Sequence, residues 1–293
     1  MRPAGGSGER ERLDRLLVLR GLAPTRARAR DLVAAGAVQV GGRPATKPAA
    51  LLALDAAVGI VHGAPVRVGR GGAKLESALD RLGVSPAGRI AIDLGASTGG
   101  FTECLLRRGA RAVVAVDVGR DQMDPALAAD PRVLRLEGVN ARDLTPEALP
   151  SGARAADLLV CDLSFISLRL VLPAIRRLLE DAPAGIAEAV ILVKPQFELG
   201  PGRSGRRGVV RRPAERAEAL TSVARAAAEC GLRVEAIVPS AIPGRTGNIE
   251  FFMRLSFPAG GGCLRWPEPH TEALIVAAAR EAADRDTIRR RRD

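Results

Sequence analysis

Leucine and valine set the pattern at the start of the chain. Leu13, Leu16, Leu17 and Val18 recur at helical spacing through Arg12–Arg20, and Gly21 supplies a stop. Pro24-Thr25 opens a second helix, Arg26–Ala35, which ends at Gly36. Val38-Gln39-Val40 alternates like a strand and meets a turn at Gly41-Gly42-Arg43-Pro44. Val58–Val61 and Val66-Arg67-Val68 read as further short strands. The pattern predicts a small α+β unit over residues 10–67, after a Gly/Ser-rich, disordered start at 1–9.

Glycines then interrupt the pattern, and residues 68–73 read as a linker. Lys74–Leu82 follows as a helix with Leu75, Ala78, Leu79 and Leu82 on one face. Beyond Arg89, apolar strands and helices alternate. Strands are expected at Ile90–Leu94, Ala112–Asp117, Leu158–Asp162, Val190–Val193, Val234–Val238 and Glu250–Leu255, with a further one at Val133–Leu136. Helices of about a dozen residues are expected between the first five. That rhythm predicts an α/β fold, a doubly wound and mostly parallel sheet over residues 74–258. The short connection through Pro243-Gly244 and Gly247 makes the last two strands an antiparallel pair at one edge. Residues 259–293 form an extension that ends in a basic helix, Glu272–Arg292.

Composition narrows the class. The chain has 293 residues, 47% hydrophobic and 26% charged, which excludes a wholly disordered chain, a collagen-like fibre and a small disulfide scaffold. No apolar run approaches the ~18 residues of a membrane span. The start, MRPAGGSGERER, turns charged where a signal peptide would turn apolar, so a cytoplasmic location is expected. Cys104, Cys161, Cys230 and Cys263 are far apart with no CxxC pair, the mark of reduced thiols rather than a zinc site or a disulfide framework. No metal is expected.

The net charge is +11, and it is uneven: +7 lies in residues 1–70 and +3 in residues 285–293. A near-neutral body with a basic first unit and tail suits docking on a polyanion, although an arginine-rich coding bias would also raise the charge of every surface. Of 44 basic residues only Lys47, Lys74 and Lys194 are lysines. A lysine can lose its proton when its pKa is depressed, which arginine effectively never does, so these three are candidates for special roles.

The first long strand runs into Asp93-Leu94-Gly95-Ala96-Ser97-Thr98-Gly99-Gly100-Phe101. Small residues at the carboxyl end of a strand let a ligand approach the backbone. The run is neither GxGxxG nor a phosphate loop ending in GK[ST], which argues against nucleotide phosphates. Asp117-Val118 closes the second strand, where an acid can accept hydrogen bonds from a ribose diol. Asn140 and Asp143 follow the Val133–Leu136 strand, and Asp143 is placed to recognise an adenine amino group.

Two resemblances give these features a context. RLDRLLVLRGLAPTRARARDLVAAGAVQVGG, followed by ATKP, resembles the S4 RNA-binding domain over residues 11–67. It implies a helical hairpin that lays Arg12, Arg15, Arg26, Arg28 and Arg30 on RNA phosphates, with Lys47 in the family's KP signature. Aromatics are nearly absent there, so phosphate and shape contacts to structured RNA fit better than base stacking. Arg70, at the junction, is a further RNA-contact candidate. DLGASTGGFT, AVDVG, VNARDL, CDLSFISL, LVKPQFE and GNIEFF resemble the TlyA family over residues 11–257. In that family an S4 domain precedes an FtsJ-like, class I methyltransferase domain. The resemblance implies S-adenosylmethionine as cofactor and 2′-O-methylation of ribosomal RNA, with cytidine as the target nucleoside. It also implies ribosomal subunits as partners. Cofactor contacts would come from Asp93, Gly95, Ser97, Thr98, Gly99, Gly100, Phe101, Asp117, Val118, Asn140, Asp143 and Asp162.

The resemblance further implies a Lys-Asp-Lys-Glu tetrad at Lys74 in GGAKLES, Asp162 in CDLSF, Lys194 in LVKPQF and Glu250 in GNIEFF. Asp162, Lys194 and Glu250 stand at expected strand ends, and two of the three lysines fall in the set. A ribose hydroxyl must lose its proton as it attacks a sulfonium methyl. Lys194 could take that proton when neutral, or stabilise the forming alkoxide when charged. Two features depart from the family pattern. Arg67 stands where an aromatic is common in the linker, and Gly69 where a serine precedes Arg-Gly. Residues 203–212 carry a run of arginines and are a candidate RNA-gripping loop. Three other classes compete: a ribosome-binding assembly factor without chemistry, a membrane-active haemolysin, a label this family often carries, and a small-molecule methyltransferase, which would leave the S4-like domain without a purpose. The first would lack part of the tetrad. The second would need a membrane span or barrel.

Overall fold

The computed structural model describes residues 9–23, 26–34, 36–60, 69–154, 156–180, 187–200, 203, 208–258 and 263–290. The expected disorder at residues 1–8, the helix opening at Pro24-Thr25, the strand at Val66–Val68 and the last two arginines of the tail lie outside these residues. The chain divides into two compact units, Met1–Gly71 and Gly72–Asp293.

In the first unit, β1 (Arg10–Arg12) leads into α1 (Leu13–Leu19), followed by α2 (Arg26–Ala34), β2 (Val38–Val40), β3 (Arg43–Pro44), β4 (Leu51–Ala53) and β5 (Val58–Ile60). β1 pairs antiparallel with β4, and β2 lies between β3 and β5. The leucines that set the helical spacing, Leu13 and Leu17, pack with Ala29, Val33 and Val38. Gly21 closes α1 at φ 67, with the Leu22 amide bonded to the Leu17 carbonyl.

α3 (Arg70–Leu82) begins in the last two residues of the first unit and runs into the second. The glycine-rich stretch expected as a linker is therefore helical from Arg70 onward. Burial of Leu75, Ala78, Leu79 and Leu82 anchors the helix, and its first turn extends through two glycines despite a cost of about 1 kcal/mol each. The remaining elements are β6 (Ile90–Leu94), α4 (Gly100–Arg107), β7 (Ala112–Asp117), α5 (Pro125–Ala128), β8 (Val133–Glu137), β9 (Leu158–Cys161), α6 (Leu172–Glu180), β10 (Glu188–Val193), α7 (Pro195–Glu198), α8 (Pro213–Glu229), β11 (Arg233–Pro239), β12 (Phe251–Ser256) and α9 (Pro269–Arg290).

The seven strands lie in the order β11-β12-β10-β9-β6-β7-β8. β12 runs antiparallel to both neighbours, and every other pair is parallel. The antiparallel pair expected at one edge is present, with the reversed strand as its inner member. Crossovers are shorter than expected in two places. α5 is a single turn capped by Asp124, and β8 connects to β9 through 3₁₀ turns only. Pro146 and Pro150 interrupt any longer helix there. The C-terminal helix is part of the unit rather than an appendage. Ile275, Ala278 and Ala282 join the main core, and Arg81 on α3 pairs with Glu281 at 2.7 Å.

β6 lies between β7 and β9, so the chain turns in opposite directions from it. Open α/β sheets bind ligands outside the carboxyl ends of strands at such a point.

Candidate active site

Four loops meet at the carboxyl ends of β6, β7, β9 and β10. The loop after β6 is held from two sides. Asp117, the last residue of β7, accepts the Ser97 amide at 2.8 Å and the Gly119 amide at 2.7 Å. Gly95 has φ +88, and a Cβ there would stand 2.6 Å from the Asp162 carbonyl oxygen. The Asp162 amide in turn donates to the Leu94 carbonyl at 2.9 Å. The loop therefore lies as bare backbone against the end of β9, which only glycine allows. Ser97 is also left-handed, with φ 47.

Asp93 sits beneath this loop with no exposure. Its Oδ2 accepts the Thr102 hydroxyl at 2.7 Å, and its Oδ1 has no hydrogen-bond partner. Burial pushes its pKa up to about 7; the Thr102 bonds oppose the shift, and the charges of Asp162 and Asp117 add to it. Phe101 turns away from the cleft and packs on Phe252, with ring centroids 6.1 Å apart. Val118 is exposed beside Asp117. Thr98, Gly99 and Gly100 complete the turn into α4. Asn140 caps a 3₁₀ turn by accepting the Arg142 amide, and Asp143 is exposed on the same turn.

The four chemistry-bearing residues form two ion pairs. Lys74 on α3 donates to Glu250 Oε2 at 2.6 Å, and both side chains are buried. Lys194 Nζ lies 2.6 Å from Asp162 Oδ1, a charge contact off the hydrogen-bond axis, and donates to Ser164 Oγ at 2.8 Å. The antiparallel register joins the two pairs. Val193 faces Phe251 across β10 and β12, so Lys194 and Glu250 lie side by side at the ends of those strands. Each ammonium has its own carboxylate, and the cluster adds no net charge to the cleft. Phe165 stands 91% exposed at the rim with φ 65, its ring against Phe197.

Three residues that sequence reasoning passed over shape this site. Ser164 accepts from Lys194. Glu198 accepts the Ser167 hydroxyl at 2.6 Å and the Leu168 amide at 2.9 Å. Asn248 is buried, accepts the Val210 amide and donates to Gly208 and Thr246, fastening the end of the arginine-rich segment beside Glu250. All three lie inside the motifs CDLSFISL, LVKPQFE and GNIEFF, which was the available signal. Among the described residues, no group of three or more His, Cys, Asp or Glu could hold a metal ion, and no helix is long and apolar enough to cross a membrane.

In the first unit the structure qualifies the candidate RNA contacts. Asp14 is fully buried and pairs with Arg12 and Arg26, both at 3.0 Å. Those guanidinium groups, Arg12 foremost, hold its carboxyl at about 2 against the cost of burial. Arg12 and Arg26 are thus fixed in place with part of their charge matched. Arg15 pairs with Glu11, Arg30 donates to the Arg26 carbonyl, and Lys47 is exposed. The Arg28 side chain lies outside the described residues. Arg70 is exposed in the first turn of α3. Arg203 and Arg212 pair with Glu218 and Glu215, while residues 204–207 of the candidate gripping loop lie outside the described residues.

Comparison with known proteins gives this arrangement its class. The model of the FtsJ-like methyltransferase family matches residues 67–257, and that of the S4 domain matches residues 11–56. The protein is an FtsJ-like methyltransferase preceded by an S4 domain. The 16S/23S rRNA (cytidine-2′-O)-methyltransferase TlyA of Mycobacterium tuberculosis is 48% identical over 84% of this chain and 90% of its own. Hemolysin A of Brachyspira hyodysenteriae is 35% identical over 82% of this chain and 97% of its own. A solved Streptococcus thermophilus structure carrying a hemolysin label superposes with a TM-score of 0.70 at 35% identity, covering 95% of this chain and 98% of its own. The chain belongs to the TlyA family.

Proposed function

We propose that the protein transfers the methyl group of S-adenosylmethionine to the 2′-hydroxyl of a cytidine in ribosomal RNA, in the cytoplasm. The observation that carries the reading is the set of two Lys–carboxylate contacts, Lys74–Glu250 buried and Lys194–Asp162 partly exposed, at the ends of β9, β10 and β12, beside a glycine loop fastened to Asp117. The relatives named as rRNA (cytidine-2′-O)-methyltransferases support the substrate. A domain boundary near residues 68–73 divides the work between an RNA-holding unit and a catalytic unit.

The residues at the cleft suit the cofactor. Gly95–Gly100 offer bare backbone, Asp117 offers carboxylate oxygens with lone pairs to spare, and exposed Val118 offers an apolar face for a base. Asn140 and Asp143 lie on the turn that follows the neighbouring strand β8. Asp162 supplies negative charge near a sulfonium, and buried Asp93 holds Thr102 beneath the loop. S-adenosylmethionine, when bound, supplies an electrophilic methyl group on positively charged sulfur.

The chain's own residues do the rest. Lys194, once deprotonated to the neutral amine, accepts the proton of the reacting hydroxyl on Nζ as the oxygen attacks. Ser164 and Asp162 set the direction of Lys194 Nζ. Lys74 and Glu250 form a neutral, fixed neighbour to it and hold the second side of the cleft. Orienting the hydroxyl in line with the methyl group contributes on the order of 7–11 kcal/mol of barrier reduction. Arg15, Arg30 and Lys47, with Arg12 and Arg26 braced by Asp14, give the first unit a cationic face for RNA phosphates.

The test is tritium transfer from labelled S-adenosylmethionine to unmodified ribosomal subunits, by wild type and by Lys194→Ala. Label on RNA from wild type alone supports the reading. No label from wild type that binds the cofactor refutes it and favours a binding factor without chemistry.

A further inference from the structure

α7 follows Lys194 directly, and its last residue turns back beneath the loop that carries Asp162. That residue, Glu198, is 5% exposed. Its Oε1 accepts the Leu168 amide and its Oε2 the Ser167 hydroxyl. Burial pushes its pKa up, and the two donors oppose that shift. At the other end of the same loop, Lys194 contacts Asp162 and Ser164. Residues 162–168 therefore hang between two points one helical turn apart, Lys194 and Glu198. Leu163 and Ile166 pack against the core and Leu168 lies in it, whereas the polar stretch that meets Lys194 is set by hydrogen bonds and charge. Ser164 and Phe165 are exposed, and Phe165 holds a left-handed φ that a bulky residue rarely adopts. Burying a carboxyl under a one-turn helix costs free energy, which hydrogen bonds to the loop offset.

We propose that Glu198 is a positioning residue for methyl transfer: it fixes the 162–168 loop so that Asp162 and Ser164 meet Lys194 Nζ. This rests on the reading of Lys194 and Asp162 given above. Glu198 touches no reacting atom. It acts by setting where the ammonium group points, and a displacement of about 1 Å at such a site can cost a hundredfold in rate.

The chain's three lysines make the test direct. Full-length protein labelled with 13Cε-lysine gives three lysine signals, assigned through the three Lys→Arg variants. Glu198→Ala should move the Lys194 signal and leave those of Lys74 and Lys47 in place. It should also lower kcat about thirtyfold while the Kd for S-adenosylmethionine stays within about twofold. Glu198→Gln, which can still accept from Leu168 and bond Ser167, should restore both readouts. An unmoved Lys194 signal in Glu198→Ala overturns the proposal. So does a kcat within about threefold of wild type, or a failure of glutamine to restore it. Should Glu198→Ala not fold, Ser167→Ala decides by the same two readouts, since it removes one donor and leaves the buried acid in place. Should wild type transfer no methyl group to ribosomal RNA, the functional reading falls, and the Lys194 signal still decides the role of Glu198.

Discussion

Removing Lys74 should destabilise the second unit by an amount that depends on pH. Lys74→Met leaves Glu250, 3% exposed, without its cation. Breaking one side of a buried ion pair costs about 3–5 kcal/mol. The stranded carboxyl has one escape, which is to bind a proton. At pH 7 that costs about 4 kcal/mol for a glutamate of ordinary pKa, and at pH 5 about 1 kcal/mol. The penalty at pH 7 is therefore about 3–4 kcal/mol, a fall in Tm of roughly 6–16 °C for a unit of this size. The sign follows from linkage. The folded variant keeps a proton that the unfolded chain releases, so its deficit grows as pH rises. Trp266, the sole tryptophan, packs against the core of this unit and reports its unfolding by fluorescence. Adding Glu250→Gln to Lys74→Met removes the stranded charge and should recover at least about half of the loss. A Tm within about 2 °C of wild type at pH 7, a deficit constant from pH 5 to 8, or a double variant no better than the single would refute the reasoning.

Four further outcomes are expected. Lys194→Arg keeps the charge but cannot act as a base, so kcat should fall about a hundredfold or more; a rate near wild type would remove the base role. Asp93, pushed up to about 7, holds a proton that the unfolded chain releases above about pH 4, so its contribution to stability is lost as pH rises across that window, on the order of 4 kcal/mol in all. Urea unfolding of Asp93→Asn at pH 5 and pH 7 should show a flatter dependence than wild type. Gly95→Ala must leave its left-handed backbone or press on the Asp162 carbonyl, and calorimetry should find cofactor binding weakened at least about tenfold, whereas unchanged affinity would place the cofactor elsewhere. Asp14→Asn raises the net charge yet should weaken RNA binding in a filter assay, because Arg12 and Arg26 lose the group that fixes them; tighter binding would show that charge alone governs the contact.

The sheet was legible because its strands are short apolar runs bounded by breakers. Ile90–Leu94 and Ala112–Asp117 have the expected limits, since Gly95 and Gly119 bring the chain out of extended geometry. What escaped the pattern depends on pairing at a distance. β1 and β4 are three residues each and exist because they pair with one another across about forty positions, a relation no local window contains. Arg70–Ala73 read as linker because glycine weakens a helix, while the buried leucines that carry α3 lie further on. Candidate site residues were readable as types at strand ends, backed by a glycine run and by lysine in an arginine-rich chain. Their pairing was not, because Lys194 meets Asp162 only through the parallel pairing of β10 with β9, and Glu250 comes to the same end only through the reversed strand set between β10 and β11. Asp14, Glu198 and Asn248 read as ordinary polar positions; only burial shows what each one holds.

The proposed reaction places a methyl group on a ribose oxygen of ribosomal RNA. The most direct measurement is nuclease digestion and mass spectrometry of ribosomal RNA after incubation of unmodified subunits with the full-length protein and S-adenosylmethionine. Wild type should give 2′-O-methylcytidine and Lys194→Ala none. Methyl groups on a base, or equal methylation by both proteins, would contradict it.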